Sequence, residues 1–555
     1  MSTLDYITIL GFSIGIILVG ISFSRTGKDM KSFFAGGGDV PWGISGLSLF
    51  MGFFSAGTFV VWGSIAYSLG WVAITIQLTM AIAGFAVGTW IAPRWHRTRV
   101  LTAAEYISER LGINVQKMYT YLFLLVSVFT TGSFLYPVGK ILEVSTGLSL
   151  ELSILLLGAF SMIYVAIGGL RGVLVTDVLQ FVVLFAAVII VIPLSFDKIG
   201  GVTSFVHQAP EGFFKIFNGE YTPGFIIAFC LYNTVFLGGN WAYVQRYTSV
   251  KTAKDSRKVG WLFGCLYLIS PILWMLPPMI YRIMNPGLVG LQSEDAYLLM
   301  CKAALPAGLL GLMLGGMIFA TASSLNAILN ISAGVFTNDI YKRLNPKAPD
   351  STLMKIARFS TLGFGILAVL IALSIRSMGG IVNVVISVGA LTGVPLYLPV
   401  IWSIFSKRQT ARSILSATFI SLGINLFFKF LTPVLFDFSL SRAMEMIVGT
   451  VTPVICLTVY EIIAYSKGWI DPEYLLYKNK QLEKMTSRSE ETEPKTDKST
   501  NRFTMKMLGG SILISGIAIF ILGILSSEGQ YMPVIMGCVL TLTGSFLFAK
   551  ALRNK

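Results

Sequence analysis

The chain is short of charge, of histidine and of paired cysteine, and each shortage removes a class of function. Only 12% of its 555 residues are Asp, Glu, Lys or Arg, about half the roughly 25% of an average soluble domain. So few charges cannot coat a globule of this size, so lipid must be the solvent for most of it. The five cysteines, Cys230, Cys265, Cys301, Cys456 and Cys538, are scattered with no Cys-x-x-Cys pair, so neither a disulfide framework nor a zinc site is suggested. The two histidines, His96 and His207, stand too far apart for metal-ligand spacing. No His-Glu-x-x-His, Walker A, Gly-x-Ser-x-Gly or strand-linked Gly-x-Gly-x-x-Gly motif occurs, so no enzyme is expected. The glycine-rich FFAGGGDV lacks the Lys-Ser/Thr of a phosphate loop. Nucleotide-driven transport by this chain is therefore not expected.

What is plentiful is apolar length. The chain is 54% hydrophobic, with a mean hydropathy of +0.75. A helix needs about 20 apolar residues to cross the hydrocarbon core. About fifteen such runs occur by that length test. They lie near 5–24, 42–66, 70–92, 117–140, 148–167, 173–194, 223–246, 259–283, 306–335, 354–375, 380–405, 413–433, 444–466, 507–526 and 531–549. The first has no basic leader or small-residue cleavage site and reads as a retained helix. An all-α polytopic membrane protein follows.

The net charge is +15, but it forms no single patch, so nucleic-acid binding is not expected. Most of the Lys and Arg lie in 25–40, 94–116, 246–258, 341–358, 407–412 and 467–506 and in the 550–555 tail. The positive-inside rule makes these cytoplasmic, with the N-terminus outside and the C-terminus inside a cell membrane. Segment 467–506 reads as a charged, flexible cytoplasmic linker, leaving 507–555 as a two-helix appendage.

Small residues interrupt three runs at mid-membrane: Gly52–Thr58, Ala320–Ser324, and Gly389 to Pro395. They have two explanations. They allow close helix packing, or they mark unwound backbone lining a cavity. Ala320, Ser323 and Ser324 stand at i, i+3 and i+4 and share a helix face. Two hydroxyls and a carbonyl there suit a hard cation, with the 51–58 break as the source of further oxygens. Asp177, near one end of its run, is either a functional intramembrane carboxylate or an interfacial one paired with Arg171 or the helix dipole.

Five ordered segments carry a family resemblance: FFAGGGDVPWGISGLSLFMGFFSAGTF, LTAAEYISERLG, YVAIGGLRGVLVTDVLQ, YVQRYTSVKTAKDSRK and ATASSLNAILNISAGVFTNDIYKR. Over about residues 5–465 the chain resembles the sodium/solute symporters, which include the sodium/glucose, sodium/proline and sodium/sialic acid carriers. The resemblance implies a sodium/leucine-symporter-like core of two inverted five-helix repeats with broken helices. These would span 42–195 and 223–405, after a helix and loop at 1–41 and before further helices at 406–466.

It further implies a sodium site of carbonyls from Met51, Phe54 and Ala320 and hydroxyls from Ser323 and Ser324, with Asp177 on the ion's exit path. Ser55, Thr58, Gln77, Asn240 and Tyr243 match substrate positions. Phe53 and Trp241 depart from the pattern, and no Arg stands near Thr130–Thr131 where sialic acid carriers anchor a carboxylate. The expected function is sodium-coupled symport of a small polar solute by alternating access. A sugar-like solute is favoured over a monocarboxylate, amino acid or nucleobase. Trp62, Tyr67, Trp71, Trp241 and Tyr243 are candidates for its apolar faces, or for interfacial belt and packing. A membrane sensor, a passive channel and proton coupling are the rival readings. The oligomeric state is not encoded.

Overall fold

The computed structural model of the chain describes residues 1–24, 40–100, 102–167, 170–488, 498–525 and 531–553. These fold into helices; among them no β-strand forms, only the isolated bridges Val40–Val250 and Asn218–Tyr221. Helices satisfy their own backbone polar groups, which hydrocarbon cannot do. Among the described residues ten helices are long and apolar enough to cross a membrane, and the bent pair Pro223–Gly239 and Trp241–Thr248, taken as one span, makes an eleventh. The other four predicted runs, at 5–24, 42–66, 148–167 and 306–335, carry shorter apolar helices.

Two helices are broken. The Trp42–Met51 helix stops at Gly52 and the chain resumes a helical course into Thr58–Leu69. The second break is a 60° bend at Asn240. Thus the first helix of each predicted repeat is interrupted. The interruption predicted at Ala320–Ser324 does not occur: Leu309–Val335 runs through it as one helix. Alanine is the strongest helix former, and Ser and Thr hydroxyls can bond back to the preceding turn, so nothing there forces unwinding. At Gly389–Gly393 the helix widens into a π-turn instead of breaking.

Glycine sets the spacing of two core helices. A Cβ on Gly84 would lie 2.7 Å from the Gly264 nitrogen, and one on Gly260 2.5 Å from the Gly88 Cα. Val72–Arg97 and Ala253–Met284 therefore pack backbone to backbone, as small residues permit in membranes. The 309–335 helix is fixed at its start by the first helix. Asp5 Oδ1 accepts from the Gly308 and Gly311 N–H groups at 2.7 and 3.0 Å, satisfying orphan donors and the positive helix end.

The predicted linker is not all linker. Pro472–Arg488 is a helix; residues 489–497 lie outside the described ones. Its polar composition hid a few anchors. Asp471 meets the buried Arg110 at 2.7 Å, Tyr477 stands edge-on to Tyr106, and Gln481 donates to the Thr98 carbonyl at 2.8 Å.

Candidate ion and solute site

The first break is stitched from within. The Phe50 carbonyl accepts from both Phe53 and Phe54 N–H at 3.0 Å. The Thr58 hydroxyl donates to the Phe53 carbonyl and accepts from the Ser55 N–H at 3.4 Å. The last carbonyls of a helix have no partner further along it, and Met51 and Phe54 carry carbonyls at this point.

Across the break stands the 309–335 helix. Ala56 N–H donates to Thr321 Oγ1 at 3.0 Å, while that hydroxyl donates to the Met317 carbonyl at 2.9 Å. Ala56 and Thr321 are fully buried. This one bond ties the broken segment directly to the Ala320–Ser324 turn. Ser324 Oγ lies 3.3 Å from the Ala320 carbonyl, so these two oxygens are together. The Ser323 side chain lies outside the described part of the structure; its backbone is helical and one residue from Ser324. Asp177 is buried beside this region, and Ser48 donates to it at 2.6 Å. Arg246 Nε in turn donates to Ser48 Oγ at 3.2 Å. The basic partner beside Asp177 is thus Arg246, from the second broken helix; the Arg171 side chain is outside the described part.

Next to the break lies a cavity of about 160 Å³. Ser55, Thr58, Gln77 and Tyr243, four of the five predicted solute residues, line it. Asn240 does not. It caps the bend, accepting from Ala242 N–H at 3.0 Å and donating to the Tyr397 hydroxyl at 3.3 Å. Of the predicted aromatics, Trp62 and Tyr243 line the cavity. Trp241 stacks on Phe123 at 4.4 Å, and Tyr67 donates to the Asn285 carbonyl at 2.7 Å. Phe53, the departure from the family pattern, is a wall of the cavity and packs on Tyr243 at 4.7 Å.

None of the described lining residues is charged. Lys140, further along the helix that carries Ser133 and Phe134, is held at 3.0 Å by both Glu143 and Asp295. Gln77 has no hydrogen-bond partner among the described residues. Asn233, absent from the sequence prediction, also lines the cavity. Its amide nitrogen donates to Thr79 Oγ1 at 2.8 Å, and its Oδ1 is buried with no partner among the described residues. The Thr79 hydroxyl proton goes to the Ile76 carbonyl at 2.6 Å, so the amide must present its nitrogen there. A lone Asn inside the apolar run 225–237 was the available signal. Buried polar groups are normally bonded, so these amides are suited to a ligand.

Contacts between helices flank the cavity on both sides. On the side of the basic loops, Gly52, Phe134 and Tyr243 stand between it and a second cavity of about 30 Å³ lined by Ser48, Asp177, Arg246 and Ser324. Ser45 donates to the Arg246 carbonyl at 2.8 Å, and Val40 N–H to the Ser249 carbonyl at 3.0 Å. These bonds join the two broken helices. On the opposite side, Ser64 meets Ser293 at 2.7 Å. Glu294 there accepts from Tyr136 at 3.1 Å and from the Ile381 N–H at 3.0 Å. Burial pushes the Glu294 carboxyl above the usual carboxylate value, and the Asp295 carboxyl likewise.

Residues 33–421 match the sodium:solute symporter family. The chain is 27% identical to a sodium/glucose cotransporter of Vibrio parahaemolyticus, covering 77% of this chain and 86% of that protein. It is 26% identical to the sodium/sialic acid symporter SiaT of Proteus mirabilis, covering 76% and 88%. With the mouse sodium/myo-inositol cotransporter 2 it shares 25% identity over 77% of this chain and 70% of that one. Among solved structures, a substrate-bound, outward-open sodium-coupled sialic acid symporter aligns with a TM-score of 0.70 at 23% identity, over 82% of this chain and 97% of that one. Mhp1, a nucleobase-cation-symport-1 family transporter, aligns with a TM-score of 0.52 at 13% identity, over 80% and 96%. The fold is the broken-helix, inverted-repeat core expected from the sequence. These proteins are transporters and not enzymes. By a match over most of its length, the chain belongs to the sodium:solute symporter family.

Proposed function

We propose that this chain couples sodium entry to uptake of a neutral, polyhydroxylated solute of sugar or inositol size. The observation that carries the solute class is the cavity lining, with no charged residue described, Gln77 at the wall and the Asn233 Oδ1 buried without a partner among the described residues. Hydroxyl groups both donate and accept and suit such amides, while the aromatic walls Trp62, Phe53 and Tyr243 suit a ring. The sodium/glucose and sodium/myo-inositol relatives favour the same class. A carboxylate would enter a cavity whose lining offers no cation, with Thr130 at the wall where sialic acid carriers have Arg.

Sodium is held by carbonyls of Met51, Phe54 and Ala320 and hydroxyls of Ser323 and Ser324. The Ala56–Thr321 bond supports this reading, because it brings the two contributing segments together. An ion bridging them favours the shape that completes Ser55 and Thr58 in the cavity. Solute binding then permits the opposite end to close and Tyr243 to move. Sodium leaves past Asp177, whose charge is balanced by Arg246. The basic loops face the cytoplasm, so the N-terminus is outside and the C-terminus inside.

The test is a thermal-shift screen of the purified protein with hexoses, inositols, amino acids, monocarboxylates and nucleobases. Each is run in sodium chloride and in choline chloride. Stabilisation by a neutral polyol only in sodium supports the reading through linkage. Stabilisation by carboxylates alone, or without sodium dependence, refutes it. Ser323→Ala with Ser324→Ala removes the sodium dependence if the ion site is right.

A further inference from the structure

We infer that a crevice on the basic side, between the Ala411–Phe436 and Arg442–Ser466 helices, binds a phosphate group, that of an anionic phospholipid. The crevice is open, with a volume of about 350 Å³, and lies well outside the solute cavity in sequence and lining. Arg408, Arg412 and Lys467 line it, with Thr410, Tyr460 and Trp469. Only Arg408 has an acidic partner among the described residues: Glu461, at 3.4 Å. That carboxylate is already engaged by Ser406 at 2.7 Å and Gln409 at 3.0 Å.

Three cations therefore line one crevice, and among the described residues the Glu461 carboxylate pairs only with Arg408. The Arg408 guanidinium is steadied over the Tyr465 ring at 4.8 Å, and its Nε is buried with no partner among the described residues. The first turn of the Ala411–Leu426 helix begins at the same place, adding backbone N–H groups and the positive helix end. Such a constellation matches a phosphate, which takes several donors at once.

The surroundings choose the source of that phosphate. Ile455, Val459 and Ile462 leave the crevice along an exposed apolar face, each close to half exposed or more. Trp469 is about half exposed at the mouth, the position of an indole at a membrane interface. Acyl chains would lie on the isoleucines and valine while the headgroup sits among the cations. Basic pockets between membrane helices on the cytoplasmic side are suited to such headgroups.

The experiment uses the full-length protein, delipidated in mild detergent, and native mass spectrometry with phosphatidylglycerol or phosphatidylcholine added. Wild type should retain phosphatidylglycerol preferentially. Arg412→Gln with Lys467→Gln should weaken that binding about thirtyfold, from two lost surface charges, and leave phosphatidylcholine unchanged. Both positions are exposed, and an unaltered sodium-dependent thermal shift verifies the fold. A parallel titration with inorganic phosphate separates the sources. If phosphate alone stabilises wild type but not the variant, and phosphatidylglycerol does neither, the lipid assignment is overturned. Equal phosphatidylglycerol binding by wild type and variant overturns the site.

Discussion

Replacing Thr321 by valine isolates the bond between the broken helix and the 309–335 helix. Valine keeps the shape and removes the hydroxyl. The Ala56 N–H would then be buried without an acceptor. Leaving a buried donor unsatisfied costs about 1–3 kcal/mol. The Met317 carbonyl loses its second donor but can keep its helical one, so the cost falls mainly at the break. If sodium requires that closed geometry, the cost appears as weaker apparent sodium affinity, by about 5- to 150-fold. The assay is thermal stability of detergent-purified protein against sodium chloride, with choline holding ionic strength constant. Thr321→Ser is the control, because it retains both the donor and the acceptor. The expected order of sodium midpoints is wild type near serine, both well below valine. A valine variant with unchanged melting temperature and sodium midpoint would refute the coupling of these segments.

Two other perturbations address the solute cavity and the opposite gate. Gly393→Ala places a methyl group against the Tyr232 ring, which lines the cavity; overpacking costs about 1–3 kcal/mol. Solute-dependent stabilisation should fall by about tenfold in apparent affinity, while sodium alone still stabilises; retained solute affinity contradicts the assigned cavity. For Glu294 the raised carboxyl means the folded state holds a proton that the unfolded state releases. Its contribution is present below about pH 4.5 and is lost as pH rises through the raised value. Glu294→Gln should flatten that part of the stability–pH curve, measured by melting temperature at fixed salt; an unchanged slope assigns it to other groups.

Much of the architecture was legible because hydrophobic length is a strong, local signal. Each predicted run falls on a helix, and the break at 51–58 was readable from Gly52, Gly57 and the small residues between them. The bend at Asn240 was missed, although Gly238 and Gly239 precede it, because its apolar flanks read as one run. The Pro472–Arg488 helix was missed because its packing depends on single contacts to Arg110 and Tyr106, far away in sequence. At the site, four of five solute candidates line one cavity; they came from the family resemblance, and of the four only Ser55 and Thr58 lie at a break legible in the sequence. Asn233, Thr321 and Arg246 were not singled out. Their importance rests on what faces them across the bundle, and spacing along a chain carries no record of that.

The partition formed by Gly52, Phe134 and Tyr243 is one residue layer thick, since all three line both cavities. It separates the compartment assigned to solute from the small one containing Asp177 and Ser324. The Tyr243 and Phe134 rings are then both the floor of one chamber and the ceiling of the other, and the fidelity of the cycle depends on how often they swing without cargo. Each such slip would dissipate stored gradient, about 2.3 kcal/mol per charge for every 100 mV. The Phe53, Phe236 and Tyr267 rings around Tyr243 act as a brake on that idle motion, so thermodynamic efficiency here is a matter of aromatic packing.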